Sequence, residues 1–219
     1  MKIASHSRLV FIGDSVTDCG RARPVGEGPG GALGNGYVAE VDAMLRMRGP
    51  KSVLRIANLG TNGDTILELE ARWPSDVLAQ NPDWLSVLIG INDVWRQFDG
   101  LGQPGNLVTP ELFERTYDRL LSQTRPKLKG LVLMAPYYVE PLRTEPMRRR
   151  MDEYREIVKR LAPKHDAIYI DTQEAFDQVL AHCSFTDLAP DRVHPTAYGH
   201  KFLARVFLNA VGFRQAEFV

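Results

Sequence analysis

Leu9-Val10-Phe11-Ile12-Gly13-Asp14-Ser15-Val16-Thr17 begins as an apolar, β-branched and aromatic run and ends in a small polar turn. The run 9–12 has the composition of a strand buried on both faces, as in a parallel sheet. Gly13 permits a sharp turn at its end. Asp14 and Ser15 are therefore expected at the carboxyl end of a central strand, the edge where open α/β sheets bind their ligands. Two readings of this pair stand side by side. Either residue can cap the helix that follows, or Ser15 can be a nucleophile. The stretch is not the Gly-x-Ser-x-Gly elbow, because Thr17 stands where the second glycine should be. Partners elsewhere in the chain must decide.

Outward from this stretch, the pattern of apolar run and small polar turn recurs. A second strand over 53–57 runs into Asn58-Leu59-Gly60-Thr61-Asn62-Gly63-Asp64-Thr65, where Asp64 or Thr65 can cap a helix carrying Ile66, Leu67 and Leu69. A third over 84–89 ends in Gly90-Ile91-Asn92-Asp93, followed by Val94-Trp95-Arg96. A fourth over 131–135 leads into a loop over 136–146 with Tyr137, Tyr138 and Pro141, and a fifth over 167–170 ends at Asp171. Between them lie helical patterns over 37–47, stopped by Gly49-Pro50, and from Thr109-Pro110-Glu111 to before Pro126. Further helices are expected over 147–161, 173–181 and 196–211, with a polar loop over 99–109 and another over 186–195. Arg148-Arg149-Arg150 reads as a solvated face, given Asp152, Glu153 and Glu156 nearby. The loop 20–36, with Gly26, Gly28, Gly30, Gly31 and Gly34 inside it, lacks the Gly-Lys-Ser/Thr of a P-loop. It reads as a mobile surface loop, or as a wall of the active site or a subunit contact. Five alternations of strand and helix predict one α/β domain over 1–219, a flavodoxin-like three-layer α/β/α with a five-stranded parallel sheet in the order 2-1-3-4-5.

Composition narrows the function. Of 219 residues, 44% are hydrophobic and 25% charged, an ordinary globular balance. Lys+Arg and Asp+Glu are both 27, so no net charge argues for nucleic acid or an anionic membrane as partner. Cys19 and Cys183 cannot build a disulfide framework and read as free thiols of a reducing compartment. Residues 1–7 lack the apolar region of a signal peptide, and no apolar run is long enough to span a bilayer. The expectation is a cytoplasmic protein.

In a parallel sheet all the polar turns that follow strands share one edge, so Ser15 can meet groups distant in sequence. A serine nucleophile needs a base, an orienting acid and donors for an oxyanion. His6 lies in the N-terminal tail, His165 near a helix end away from that edge, and His182 and His200 on or near helices. His194 lies in Asp187-Leu188-Ala189-Pro190-Asp191-Arg192-Val193-His194-Pro195-Thr196, a loop stiffened by two prolines. Asp191, three residues earlier, can turn back on the imidazole and fix its tautomer. The alternative is a helix entry in which Asp191 or Thr196 is a cap and His194 only packs. Ser15 N–H, Gly63 N–H and the Asn92 side chain are oxyanion donors by type and place, although Asn92-Asp93 also fits an Asx-turn. A metal set of Asp14, Asp93, Asp191 and His194 is conceivable, but it has neither His-x-x-x-His nor Cys-x-x-Cys spacing.

Together, Gly13-Asp14-Ser15, Gly63, Asn92 within Gly90-Ile91-Asn92-Asp93, and Asp191-x-x-His194 resemble the four sequence blocks of the SGNH (GDSL) hydrolase family, in order, along essentially the whole chain. The resemblance implies a flavodoxin-like fold and a serine esterase that needs no metal or cofactor. It implies Ser15 as nucleophile, His194 as base, Asp191 as its partner, and Ser15, Gly63 and Asn92 as the oxyanion hole. The runs from Phe11 to Pro24, Ile89 to Gln97, and Pro146-Met147-Arg148-Arg149 are similar to intracellular bacterial acetylxylan esterases. That implies removal of acetyl groups from small carbohydrates, xylo-oligosaccharides above all, by a homo-oligomer, possible as an octamer. Asn62 departs from the serine usual before the glycine of the second block, which bears on substrate fit. Asp14, Trp95 and Tyr137 are candidate substrate contacts; Trp95 and Tyr137 can equally pack in the core or at an interface. The competing functions are an esterase or lysophospholipase acting on another ester with the same triad, and a non-catalytic sugar-binding protein.

Overall fold

The structure, a computed structural model, describes residues 1–47, 49, 53–100 and 107–213. Pro50 and the positions 101–106 of the expected loop 99–109 lie outside the described residues. The chain runs β1 (Arg8–Gly13), α1 (Ser15–Asp18), β2 (Gly26–Glu27), α2 (Tyr37–Met47), β3 (Arg55–Asn58), α3 (Ile66–Asp76), β4 (Trp84–Leu88), α4 (Ile91–Trp95) and α5 (Pro110–Thr124). It continues with β5 (Gly130–Met134), α6 (Pro146–Lys164), β6 (Ile168–Ile170), α7 (Thr172–Leu180), α8 (Phe185–Leu188) and α9 (Ala197–Ala210). The strand order is β2-β3-β1-β4-β5-β6. The five strands expected from the sequence are all parallel, in the expected order, and β1 is central. The sixth, β2, is a two-residue antiparallel edge within the loop 20–36, too short to leave a pattern in the sequence.

Alternation along each strand divides the core into two layers. Val10, Ile12, Leu85, Val87, Leu131 and Leu133 face α3, α5 and α6, with Trp73 and Tyr154 buried between. Leu9, Phe11, Leu88, Val132 and Met134 face α2, α7 and α9, with Tyr37 and Phe207 buried on that side. Helix starts follow the capping rules. Thr65 closes a capping box with Glu68, Thr109 accepts from Leu112 N–H at 3.2 Å with Pro110 behind it, and Thr196 accepts from Gly199 N–H at 3.1 Å.

The loop 20–36 is packed rather than loose. Arg21 donates to the carbonyls of Gly60 and Pro24, at 2.9 and 2.5 Å. Buried Asn58 at the end of β3 donates to the carbonyls of Thr17 and Leu33, at 2.7 and 2.9 Å, and accepts from Gly60 N–H at 3.0 Å. One amide side chain thus joins the β1 turn, the glycine-rich loop and the β3 turn.

The arginine run on α6 is divided. Arg149 is exposed, but Arg148 is wholly buried, contrary to the solvated face expected for all three. Its Nη atoms meet both carboxylate oxygens of Asp177 on α7, at 2.9 and 2.7 Å, and one also reaches the Glu140 carbonyl at 2.8 Å. Removing one member of a buried pair leaves the other charge uncompensated. Arg148→Met is therefore expected to cost about 3–5 kcal/mol in urea unfolding, whereas Arg149→Met stays within about 0.5 kcal/mol of wild type. Equal, small effects of the two substitutions would show that Asp177 does not depend on Arg148.

Candidate active site

Strand β1 ends at Gly13, paired with Leu88 of β4. A Cβ on Gly13 would stand 2.1 Å from the Leu88 carbonyl oxygen, so only glycine fits. The chain leaves the sheet there, and Asp14 caps α1 by accepting from Val16 N–H at 3.0 Å. Ser15 is the first residue of that short helix. Its Oγ lies 3.0 Å from His194 Nε2, and His194 Nδ1 lies 2.6 Å from Asp191 Oδ2. The other Asp191 oxygen accepts from the backbone N–H groups of Val193 and His194, at 3.0 and 2.7 Å. Asp191 is partly buried, which pushes its pKa up. The ring of His194 and these two amides outweigh that and hold it below the usual carboxylate value. An ionised Asp191 on Nδ1 leaves Nε2 as the acceptor facing the serine hydroxyl.

The remaining histidines lie elsewhere. His165 caps the end of α6 and meets Asp118 at 2.7 Å. His200 is buried, and its Nδ1 accepts from Tyr37 N–H at 3.2 Å. Its proton is therefore on Nε2, which faces the Cys19 sulfur at 3.4 Å. Burial, and after it the proximity of His194, push the His200 pKa down to about 4. Burial pushes the Cys19 thiol up to about 12, so neither group is a ready base or nucleophile.

The turn after β3 lies alongside Ser15. Within it Thr61 N–H donates to the Gly13 carbonyl at 3.0 Å, Asn62 N–H to Asp18 Oδ2 at 3.1 Å, and Asp64 N–H to the Thr61 carbonyl at 3.4 Å. Gly63, held at φ +80°, is the residue of this turn whose N–H has no acceptor among the described residues. Ser15 N–H, at the start of α1, is likewise without one. Arg96, at the end of α4, holds the Gly63 carbonyl at 2.5 Å. From the first turn of α4, Asn92 donates through Nδ2 to the Asp64 carbonyl at 2.9 Å. That contact fixes which end of the amide is nitrogen and leaves its second N–H to donate. Three unpaired donors, on Ser15, Gly63 and Asn92, thus come from the ends of β1, β3 and β4.

The other candidates separate. Trp95 is half-buried, with its ring 6.0 Å from the His194 ring. Tyr137 is buried; it packs on Phe176 at 4.5 Å and donates to the Val193 carbonyl at 3.3 Å, so the sugar-bordering expectation gives way to core packing. Asp14 is buried as well, and its carboxylate is engaged in the cap rather than presented to a ligand. Asp93 caps α3 through Ile66 N–H at 2.9 Å. Among the described residues no group of three or more His, Cys, Asp or Glu side chains is placed to hold a metal ion.

Burial raises the pKa of Asp14 to about 7 and that of Asp93 to about 8, from an ordinary 3.8. The folded protein therefore keeps both protons where the unfolded chain has released them. The stability that these two groups contribute is fully present below about pH 4 and is lost as pH rises through 7 and 8. Asp93→Asn preserves the cap to Ile66 N–H and removes one titration. Its urea midpoint should fall less between pH 5 and pH 8 than that of wild type. Parallel curves for the two proteins would mean that Asp93 is ionised in the fold.

The family model of the GDSL-like lipases and acylhydrolases matches residues 11–202. A curated acetylxylan esterase of Geobacillus stearothermophilus is 49% identical over 213 residues, 97% of each chain. The crystal structure of Axe2, an acetylxylan esterase from the same organism, superposes with a TM-score of 0.96 at 48% identity over 99% of both chains. LAE5, an alpha/beta hydrolase enzyme from the metagenome of Lake Arreo, Spain, superposes with a TM-score of 0.94 at 45% identity, covering 97% of this chain and 98% of its own. Further structures of Axe2 are of catalytic mutants designated S15A, D191A and H194A.

Proposed function

This chain belongs to the GDSL-like lipase/acylhydrolase family, and from that premise we propose that it is a serine esterase that removes O-acetyl groups from carbohydrates, acetylated xylo-oligosaccharides being the substrate class. The observation that carries the reading is the line from Ser15 Oγ to His194 Nε2, 3.0 Å, and from His194 Nδ1 to Asp191 Oδ2, 2.6 Å. The choice of acetylated xylan fragments is supported by the relatives named as acetylxylan esterases. The roles of Ser15, Asp191 and His194 are supported by the designations of the Axe2 catalytic mutants, since this chain has Ser, Asp and His at those numbers.

Ser15 Oγ attacks the acetyl carbonyl while His194 Nε2 takes its proton, and Asp191 stabilises the imidazolium. The carbonyl oxygen becomes an oxyanion held by Ser15 N–H, Gly63 N–H and Asn92 Nδ2–H. Its collapse breaks the bond to the sugar oxygen, which leaves as an alcohol with the proton from His194. Water, deprotonated by His194, then attacks the acetyl-enzyme through the same oxyanion site; collapse breaks the bond to Ser15 Oγ, which takes the proton back from His194 as acetate leaves. Trp95 borders the sugar.

Ser15→Ala should leave the fold intact and abolish hydrolysis of p-nitrophenyl acetate and of acetylated xylobiose. In wild type, activity should drop steeply from the acetate to the butyrate and octanoate esters. Residual Ser15→Ala activity near wild type would refute the nucleophile. A preference for octanoate would move the substrate class to long-chain acyl esters, and binding of the sugar without any turnover would support a sugar-binding protein.

The same reading includes a cytoplasmic homo-oligomer. The assembly is supported by the exposure, among the described residues, of the large apolar side chains Met47 at 62%, Leu142 at 59%, Tyr198 at 53%, Phe98 at 43% and Met1 at 40%. Light scattering at micromolar concentration should give a multiple of 24.6 kDa, and cell fractionation should place the protein in the cytosol. A mass near that of one chain refutes the assembly, and a secreted pool refutes the location.

A further inference from the structure

Arg72 lies on α3 and touches neither Ser15 nor His194. Its guanidinium nonetheless reaches the ends of β1 and β3 directly, and the end of β4 only through Asp64, whose carbonyl holds Asn92. Nε donates to Asp64 Oδ2 at 2.5 Å. One Nη donates to the Leu59 carbonyl at 2.6 Å and to Asp76 Oδ2 at 2.9 Å. The other donates to the Gly13 carbonyl at 2.9 Å. Gly13 is the last residue of β1, two before Ser15. Leu59 follows β3, and Asp64 follows Gly63. The Asp64 carbonyl in turn holds Asn92 Nδ2 at 2.9 Å. The side chain is only 16% exposed, so these contacts are little screened by water.

We propose that Arg72 is the positioning residue of the oxyanion hole, the fork that sets the spacing between the Ser15, Gly63 and Asn92 donors. The inference rests on the esterase reading above. A planar guanidinium has its five N–H groups in a fixed geometry, so carbonyls bound to it are held at set angles as well as distances. An ammonium offers a point charge without that geometry. The oxyanion exists only in the tetrahedral state, so donors displaced by a fraction of an ångström weaken the transition state and leave ground-state binding alone.

The test compares Arg72→Lys and Arg72→Met with wild type, on p-nitrophenyl acetate, at a temperature where circular dichroism shows each variant folded. Arg72→Lys keeps a cation beside Asp64 and carries the test by itself if Arg72→Met does not fold. The expected result is a kcat lower by about 10–100-fold with KM within twofold, the scale reported for a displacement of about 1 Å in a reacting site. The inhibition constant of an acetyl-mimicking trifluoromethyl ketone, which forms a tetrahedral adduct on the serine, should rise by the same factor as kcat falls. Asn92→Ala alone should lower kcat by about 10²–10³, and adding Arg72→Lys to it should cost less than in wild type, because the two act through one hole. A folded Arg72→Lys with wild-type kcat, a loss confined to KM, or fully additive losses with Asn92→Ala would each overturn the proposal. If instead Ser15→Ala remained active, the esterase reading itself would fall, and that outcome is separate from any result on Arg72.

Discussion

There is no room for a side chain at Gly13, and the site follows from that. The backbone of β1 passes so near β4 that a methyl group would overlap the Leu88 carbonyl. Closely spaced parallel strands stay paired up to that point, Gly13 opposite Leu88, and the chain then has to leave the sheet. Asp14 makes the exit stable as a cap, and Ser15 becomes the first residue of a helix, with its own N–H unpaired. The carbonyl that Gly13 leaves at the sheet edge is taken up by Thr61 N–H and Arg72. In this way one tight contact between two strands brings a hydroxyl, a free amide and the neighbouring turn together. His194, 179 residues further along the chain, needs only to be delivered to the same edge.

What marks this edge chemically is its pattern of unpaired donors. Backbone amides in a folded protein are nearly always paired. In the turn after β3, the amides of Thr61, Asn62 and Asp64 all have acceptors, and that of Gly63 has none among the described residues. An N–H left free among paired neighbours, beside another at a helix start, is a place for an anion. The carboxyls next to these donors in sequence differ from Asp191. Burial holds the pKa of Asp14 and Asp93 well above the ordinary range. The hydrogen bonds of Asp191 to the His194 ring and two backbone amides hold its pKa below the ordinary value. Three acids within one site region are thus separated in charge by their surroundings alone.

Much of this was legible in the sequence, for physical reasons. Strands buried on both faces need mainly β-branched and apolar runs, and five such runs, broken only at Arg55 and Ser86, marked the five parallel strands. Turns that end strands need small polar residues, so the site edge was readable before its geometry was known. Of the two residues Asp14-Ser15, Asp14 takes the cap and Ser15 meets the histidine. Other features left no local signal. Arg148 and Arg149 are adjacent and alike in sequence. Only the rotation of α6 against α7 buries one and exposes the other, and the deciding acid, Asp177, comes 29 residues later. Arg72 reads as one cation on an amphipathic helix, because the carbonyls it binds belong to the backbone and carry no side-chain pattern. Strand β2 is two residues long and exists by pairing with β3, so no periodicity could announce it.

Tyr137 shows how a residue can serve the site from within the core. Its ring lies on Phe176, and its hydroxyl holds the Val193 carbonyl, one residue before His194. Two residues on, Val139 N–H donates to the Arg192 carbonyl at 2.9 Å, and the Arg192 guanidinium lies 4.3 Å over the Phe185 ring. The loop that presents His194 is therefore fastened to the segment leaving β5 on one side and to α8 on the other. An imidazole on a connecting loop would lose geometry through each rotatable bond before it, and these contacts remove that freedom on both sides of Asp191-x-x-His194. The parallel sheet supplies a rigid rim: Ser15 leaves it two residues after the end of β1, whereas His194 comes to the same edge on a loop that follows α7 and α8 and is held there by these contacts.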